Sequence, residues 1–286
     1  MSTEKYIVGV VGAGVMGTSL VQLLSMSNAV ETVYWRSARG ADLNERMEEI
    51  FRYLDKLAKK GRISAEVASA AKNKIVNVKC FDEFIHCDFV HEAAEESLGV
   101  KAGVINKLNL VENSKYIIAS NTSSISITDL SQAMIEPENL IGMHFFNPAP
   151  LMKLVEVIRG YHTSDRVENA VKKYAEAIGK CPVVVTDSPG FIVNRMLIPM
   201  INEAVCILAE NVTDRDSIDN AMRFGANHPI GPLALSDLIG NDVVLSIMEV
   251  LYSETGDQKY RPHPYLKKMV RAKRLGKKVG KGFYDY

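Results

Sequence analysis

The chain has 286 residues, 47% of them apolar, and its 34 basic and 34 acidic side chains cancel to a formal net charge of zero. That length supports a sizeable core shared between a larger and a smaller domain. Balanced charge and the lack of any apolar run of about 18 residues argue against nucleic acid or a membrane as the partner.

The opening, MSTEKYIVGVVGAGVMG, holds an apolar run, but Glu4 and Lys5 precede it and glycines interrupt it. It reads as a strand and a turn rather than a signal peptide. A helical pattern follows through Met16, Leu20, Leu23 and Leu24, and then ETVYW, rich in strand formers. The order is therefore strand, helix, strand.

Gly12, Gly14 and Gly17 make G-x-G-x-x-G at the junction, with Val15 and Met16 inside it. The first glycine permits a tight turn, the second lets backbone approach a pyrophosphate, and the third lets the helix pack closely. Amides at the helix start then face the negative oxygens. Three glycines at this spacing arise in many turns; the strand before and the helix after point to a dinucleotide.

The stretch YWRSARG, residues 34–40, stands where such folds place a carboxylate for the adenosine ribose. Arg36, Ser37 and Arg39 offer the opposite charge and a hydroxyl donor instead, which suits a 2'-phosphate. The expected cofactor is NADP(H), with NAD(H) the alternative if both arginines are merely solvated.

A helix is expected from about 41 to 60, with Leu43, Met47, Ile50, Leu54 and Leu57 on one side and a stop at Gly61. The strand candidates IVNV, CDFVHEA, YIIAS, IGMHFF, KLVEVI and PVVVT follow, with helical segments around 98–112 and 165–179 between several of them. That alternation predicts a mainly parallel sheet with helices on both faces. After TDSPG the strand pattern gives way to several helices interrupted by NHPIGP. The expected architecture is an α/β, Rossmann-type domain over 1–187 followed by an all-helical domain over 188–286.

His144 lies at the end of a strand in IGMHFFNPAP, and Glu156 sits in the middle of an otherwise apolar strand. An unpaired carboxylate is costly in the interior, so Glu156 needs a partner. A return of the chain at Asn147–Pro150 would bring it to His144, fixing the imidazole tautomer for proton transfer beside a nicotinamide. A purely structural histidine satisfies the same pattern. Asn121, Thr122, Ser123 and Ser124 follow a strand in ASNTSSISI, suited either to orienting a substrate or to capping a helix. Asn194, in SPGFIVNRML, is open between a site residue and an interdomain contact.

The remaining histidines lack metal spacing: His228 reads as a turn residue, and His86, His91, His162 and His263 form no set, so no metal is expected. Cys80, Cys87, Cys181 and Cys206 match no metal knuckle or disulfide framework and read as free buried thiols in a reducing cytoplasm. From Lys267 to Gly282 every charged residue is basic, either a solvated helix end or a patch for phosphates.

Taken together, GAGVMG, NTSSISIT, GMHFFNPAPLMKLVEVIRG, DSPGFIVNR, GANHPIGPLALSDLIG and KKVGKGFYDY resemble the L-3-hydroxyacyl-CoA dehydrogenase family, its bacterial 3-hydroxybutyryl-CoA dehydrogenases above all. The resemblance spans essentially the whole chain. It implies interconversion of acetoacetyl-CoA and (S)-3-hydroxybutyryl-CoA, with His144 as acid/base and Glu156 its partner. It implies that Ser123 and Asn194 contact the acyl substrate, with Asn147 also on the substrate side. Glu96, Lys101 and Asn121 match positions lining the cofactor side, and Lys56 and Lys60 resemble lysines that meet CoA. The helical domain is implied to make a homodimer. YWRS departs from the acidic residue of NAD-using members and puts the usual cofactor in doubt. Alternatives are a dehydrogenase for longer 3-hydroxyacyl-CoAs and a dinucleotide-sensing protein that has lost catalysis.

Overall fold

The computed structural model describes residues 5–286; Met1 to Glu4, where the stretch leading into the first strand begins, lie outside the described residues. The chain divides into two compact units, one ending at Ser188 and one spanning Pro189–Tyr286.

The first unit is built on eight strands: β1 (Tyr6–Val11), β2 (Val30–Arg36), β3 (Ile75–Asn77), β4 (Phe89–Glu92), β5 (Ile117–Ser120), β6 (Leu140–Phe145), β7 (Leu154–Arg159) and β8 (Cys181–Thr186). Their order across the sheet is β3-β2-β1-β4-β5-β6-β7-β8, parallel throughout except for the antiparallel pair β6/β7. Residues on β4 to β6 are buried without interruption, as expected of strands covered on both faces. Neighbours on β4 show both coverings: His91 meets Tyr174 on α6 (Asp165–Ala177), and Glu92 meets Lys101 on α4 (Leu98–Asn109).

Val8, Val10, Val33 and Trp35 of the sheet pack with Leu20 and Leu24 of α1 (Val15–Met26) and with Ile50 and Leu54 of α2 (Asn44–Lys59), all fully buried. Burying a valine or leucine side chain contributes about 1.5–3 kcal/mol, so this cluster is the main source of the unit's stability. One helix is not apparent from the sequence: α3 (Ala65–Asn73), whose start is capped by Ser64 Oγ accepting from the Val67 amide. Its alanines carry too little apolar contrast to register as a periodic stripe. A short α5 (Ile127–Ser131) is likewise capped by Ser126.

The second unit holds α7 (Val193–Ala209), α8 (Arg215–Gly225), α9 (Pro232–Ile239), α10 (Asn241–Thr255) and α11 (Pro264–Arg271) around Ile201, Val205, Leu233, Val244, Met248 and Leu251. Buried Asp219 accepts from the Leu233 and Ala234 amides and so caps α9. Buried Asp237 accepts from the Phe283 and Tyr284 amides, pinning the last residues to the bundle. Part of the basic run is paired, Lys278 with Asp242 and Lys267 with Glu249. No described helix is long and apolar enough to cross a membrane.

The cysteines differ from the buried set expected. All four are free, but only Cys87 is buried; Cys206 is half-buried, and Cys80 and Cys181 are exposed. Cys80 lies in the turn after β3, and Cys181 opens edge strand β8, where one side of the strand meets solvent.

Candidate functional site

Because β1, β4, β5 and β6 run parallel, their C-terminal ends share one edge of the sheet, and antiparallel β7 starts at that edge. Chain order reverses between β1 and β4, the position where a crevice opens in doubly wound sheets.

The glycine turn sits at the end of β1. Gly12 has φ +138°, and a Cβ there would stand 2.1 Å from the Ala93 carbonyl oxygen. A Cβ on Gly17 would stand 2.3 Å from the Gly12 carbonyl oxygen, so the helix packs on bare backbone. At Gly14 a Cβ would meet nothing within 4 Å, so this glycine is not required by the protein's own packing. Gly14 gives the start of α1 no side-chain cap, and the first turn carries no acidic residue. The amides and positive helix end therefore face open space beside Gly14, a cradle that fits a pyrophosphate. Val15 is exposed and Met16 half-buried next to it.

The end of β2 is tied to that turn. The indole of buried Trp35 donates to the Gly12 carbonyl at 2.7 Å, and the Gly12 amide donates to the Arg36 carbonyl at 2.8 Å. The Arg36 guanidinium lies 4.4 Å over the Phe81 ring, and its Nη1 donates to the Ser37 carbonyl. Its Nε is buried without a partner. Phe81 is itself positioned by its loop, since Glu83 accepts from the Lys79 and Cys80 amides. Ser37 is buried, with its hydroxyl accepting from the Arg39 amide, and Arg39 pairs with Glu95.

Beyond β4 and β5 lies a network of charges. Fully buried Lys101 stands 3.2 and 3.1 Å from the two carboxylate oxygens of Glu92, which also accepts from Ser120 Oγ at 2.6 Å and from the Ala94 amide. Lys101 also reaches Glu96 at 3.4 Å. One Glu96 oxygen accepts from the hydroxyls of Thr122, Ser123 and Ser124 and from the amides of Ser123 and Ser124. Burial pushes the Glu96 carboxyl up, but Lys101 and the hydrogen bonds from Thr122 and Ser123 outweigh it and hold it below the usual carboxylate range. Asn121, buried at the end of β5, accepts from the Phe145 amide next to His144.

His144 and Glu156 are register partners on β6 and β7. Nδ1 of the imidazole lies 2.8 Å from Glu156 Oε2, both side chains being almost fully buried. A carboxylate there favours the tautomer with its proton on Nδ1 and fixes the orientation of the ring. The loop beyond is fixed at both ends: Ser19 Oγ accepts from the Ala149 amide, and buried Lys180 donates to the Ala149 and Met152 carbonyls.

The expected residues fall into groups. The glycines with Arg36, Ser37 and Arg39 gather at β1 and β2; Glu96, Lys101, Asn121 and Ser123 gather past β4 and β5; His144 and Glu156 pair on β6 and β7. Asn147 is exposed in the loop after His144. Lys56 and Lys60, with Arg52, Asp55 and Lys59, line an open hollow of about 460 Å³ at the end of α2. Asn194 belongs to the other unit, as the second residue of α7. Sequence reasoning missed Glu92, Ser120, Phe81, Glu95 and Lys180. Glu92 left a weaker mark than Glu156: it is a carboxylate near the end of the strand candidate CDFVHEA, beside a histidine rather than between apolar neighbours.

Residues 7–188 match the family described as 3-hydroxyacyl-CoA dehydrogenase, NAD binding domain, and residues 190–286 match 3-hydroxyacyl-CoA dehydrogenase, C-terminal domain. The chain is 44% identical over 277 residues to a 3-hydroxybutyryl-CoA dehydrogenase of Clostridioides difficile, covering 97% of this chain and 98% of that one. It is 34% identical over 308 residues to the human mitochondrial hydroxyacyl-coenzyme A dehydrogenase, covering 100% and 93%. The crystal structure of an (S)-3-hydroxybutyryl-CoA dehydrogenase from Ralstonia eutropha is similar with a TM-score of 0.93 and 43% identity over 99% of both chains.

Proposed function

The chain belongs to the 3-hydroxyacyl-CoA dehydrogenase family, and from that premise we propose that it reversibly reduces acetoacetyl-CoA to (S)-3-hydroxybutyryl-CoA. The observation that carries this reading is the His144–Glu156 pair, 2.8 Å apart at the sheet edge that also holds the glycine turn. A nicotinamide cofactor, when bound, supplies the hydride for C3 of the ketoacyl group. His144 delivers a proton from Nε2 to the oxygen that gains charge at C3, and takes it back from the 3-hydroxyl in the reverse direction. Glu156 keeps the ring oriented throughout by accepting from Nδ1.

Ser123 contributes positioning of the acyl oxygens, and Glu96 supports it by fixing its amide and hydroxyl. Lys101 and Asn121 line the cofactor side, and Asn147 the substrate side. The roles of Asn194 toward the acyl group and of Lys56 and Lys60 toward CoA rest on their motifs alone. The reading includes a homodimer, as the resemblance implies, and its cysteines, none in a disulfide, fit a reducing cytoplasm.

For the cofactor, the reading is NADP(H) in preference to NAD(H). Support comes from a guanidinium at the end of β2 that is braced by Phe81 on one face, beside the buried Ser37 hydroxyl. An arginine held in place loses less freedom on binding a phosphate than a solvated one. A steady-state matrix of NADH and NADPH against short and medium 3-ketoacyl-CoAs tests substrate and cofactor together. Turnover with acetoacetyl-CoA and NADPH is the expected result; no oxidation of either cofactor with any of these thioesters would end the reading.

A further inference from the structure

Arg39 and Glu95 come from different loops. Arg39 lies three residues past the end of β2, and Glu95 three residues past the end of β4. Both strands pair with β1, one on each side, so their ends stand about 10 Å apart with the end of β1 between them. An ion pair joining these loops therefore crosses the mouth of the glycine turn. This is the space that the adenosine ribose and pyrophosphate of a dinucleotide must enter.

We propose that Glu95 is a built-in competitor for the cofactor's 2'-phosphate: it neutralises Arg39 across this mouth and surrenders it when the phosphate arrives. The proposal rests on the NADP(H) reading above. Its chemistry is an exchange of anions on one guanidinium, with no bond made or broken. Both side chains are well exposed, 78% for Arg39 and 59% for Glu95, so the pair is weakly held and can open. A phosphomonoester brings a charge of about −1.5 to −2 where a carboxylate brings one, and it matches the guanidinium fork at least as well. A dinucleotide without the 2'-phosphate brings only hydroxyls to the ribose end of the mouth, its pyrophosphate being taken by the glycine turn, and so offers Arg39 no replacement for Glu95. Arg36 is already braced on Phe81 and bonded to Ser37, so Arg39 is the arginine that has to be released.

The test is calorimetric titration of the full chain with adenosine 2',5'-bisphosphate and with 5'-AMP, which differ only in the 2'-phosphate. Glu95→Gln is expected to tighten the bisphosphate about two- to fivefold, the worth of one exposed ion pair, and to leave 5'-AMP unchanged. In an Arg39→Ala background the same substitution should add nothing. Unchanged bisphosphate affinity in Glu95→Gln would overturn the exchange. So would equal tightening with and without Arg39, which would mean direct repulsion of the phosphate, or weaker 5'-AMP binding, which would make Glu95 a ribose contact. Failure of the cofactor reading looks different: the wild-type chain would bind both probes equally, and Arg36→Asp would not alter their ratio.

Discussion

His144 and Glu156 stand opposite each other in the ladder between β6 and β7, so the 2.8 Å between Nδ1 and the carboxylate is set by strand register rather than by a flexible loop. If His144 carries the proton, His144→Ala should lower kcat by about 10²- to 10⁴-fold while leaving cofactor affinity in place. Glu156→Gln keeps the shape but not the charge and should fall between that variant and wild type. Steady-state kinetics with acetoacetyl-CoA, beside a cofactor titration, separates the two effects. Near-normal turnover in His144→Ala would remove the role.

Arg36→Asp should reverse the cofactor ratio. Losing a charge-assisted contact to phosphate costs about 1.5–3 kcal/mol, which is roughly ten- to a hundredfold in the kcat/KM for NADPH. NADH should improve, because an aspartate at the end of β2 accepts from ribose hydroxyls. An unchanged ratio would move the 2'-phosphate contact elsewhere.

Two glycine substitutions should fail in different ways. Gly12→Ala places a methyl 2.1 Å from the Ala93 carbonyl at φ +138°, so loss of the folded chain is expected. Gly14→Ala meets nothing within 4 Å and should melt close to wild type, yet bind the dinucleotide far more weakly. Thermal melts and cofactor titrations of both variants check this. Wild-type affinity in Gly14→Ala would mean that the pyrophosphate does not approach there.

The core of the first unit should sense acid through His91. Its Nε2 lies 2.8 Å from Tyr174 Oη, its Nδ1 has no partner, and burial lowers its pKa from 6.5 to about 4. The unfolded chain therefore binds the extra proton between pH 6.5 and 4 while the folded chain does not. Stability contributed by neutral His91 is complete above pH 6.5 and is lost as pH falls toward 4, on the order of 3 kcal/mol in all. Denaturant midpoints across this range should flatten in a His91→Leu/Tyr174→Phe double variant, which removes both polar partners together. A slope equal to that of wild type would assign the acid sensitivity to other groups.

The sheet, the glycine turn and the pairing of His144 with Glu156 were legible because each left a local mark. Apolar runs gave the strands, the glycines their turn, and the isolation of Glu156 in an apolar strand demanded a partner. Lys101 was legible only through the family resemblance, because a lysine on a helix ordinarily reads as exposed, and its buried carboxylate Glu92 lies nine residues earlier on a strand. Phe81 under Arg36 and Glu95 beside Arg39 were not legible at all. Both contacts join loops brought together by the order of strands in the sheet, which no local pattern records.

Trp35 is the chain's single tryptophan, and its indole is bonded to the carbonyl of the first glycine in the turn. Its ultraviolet emission is therefore an unlabelled gauge placed beneath the dinucleotide cradle. Stopped-flow traces at that wavelength would time cofactor arrival without an assay, a coupling enzyme or a dye.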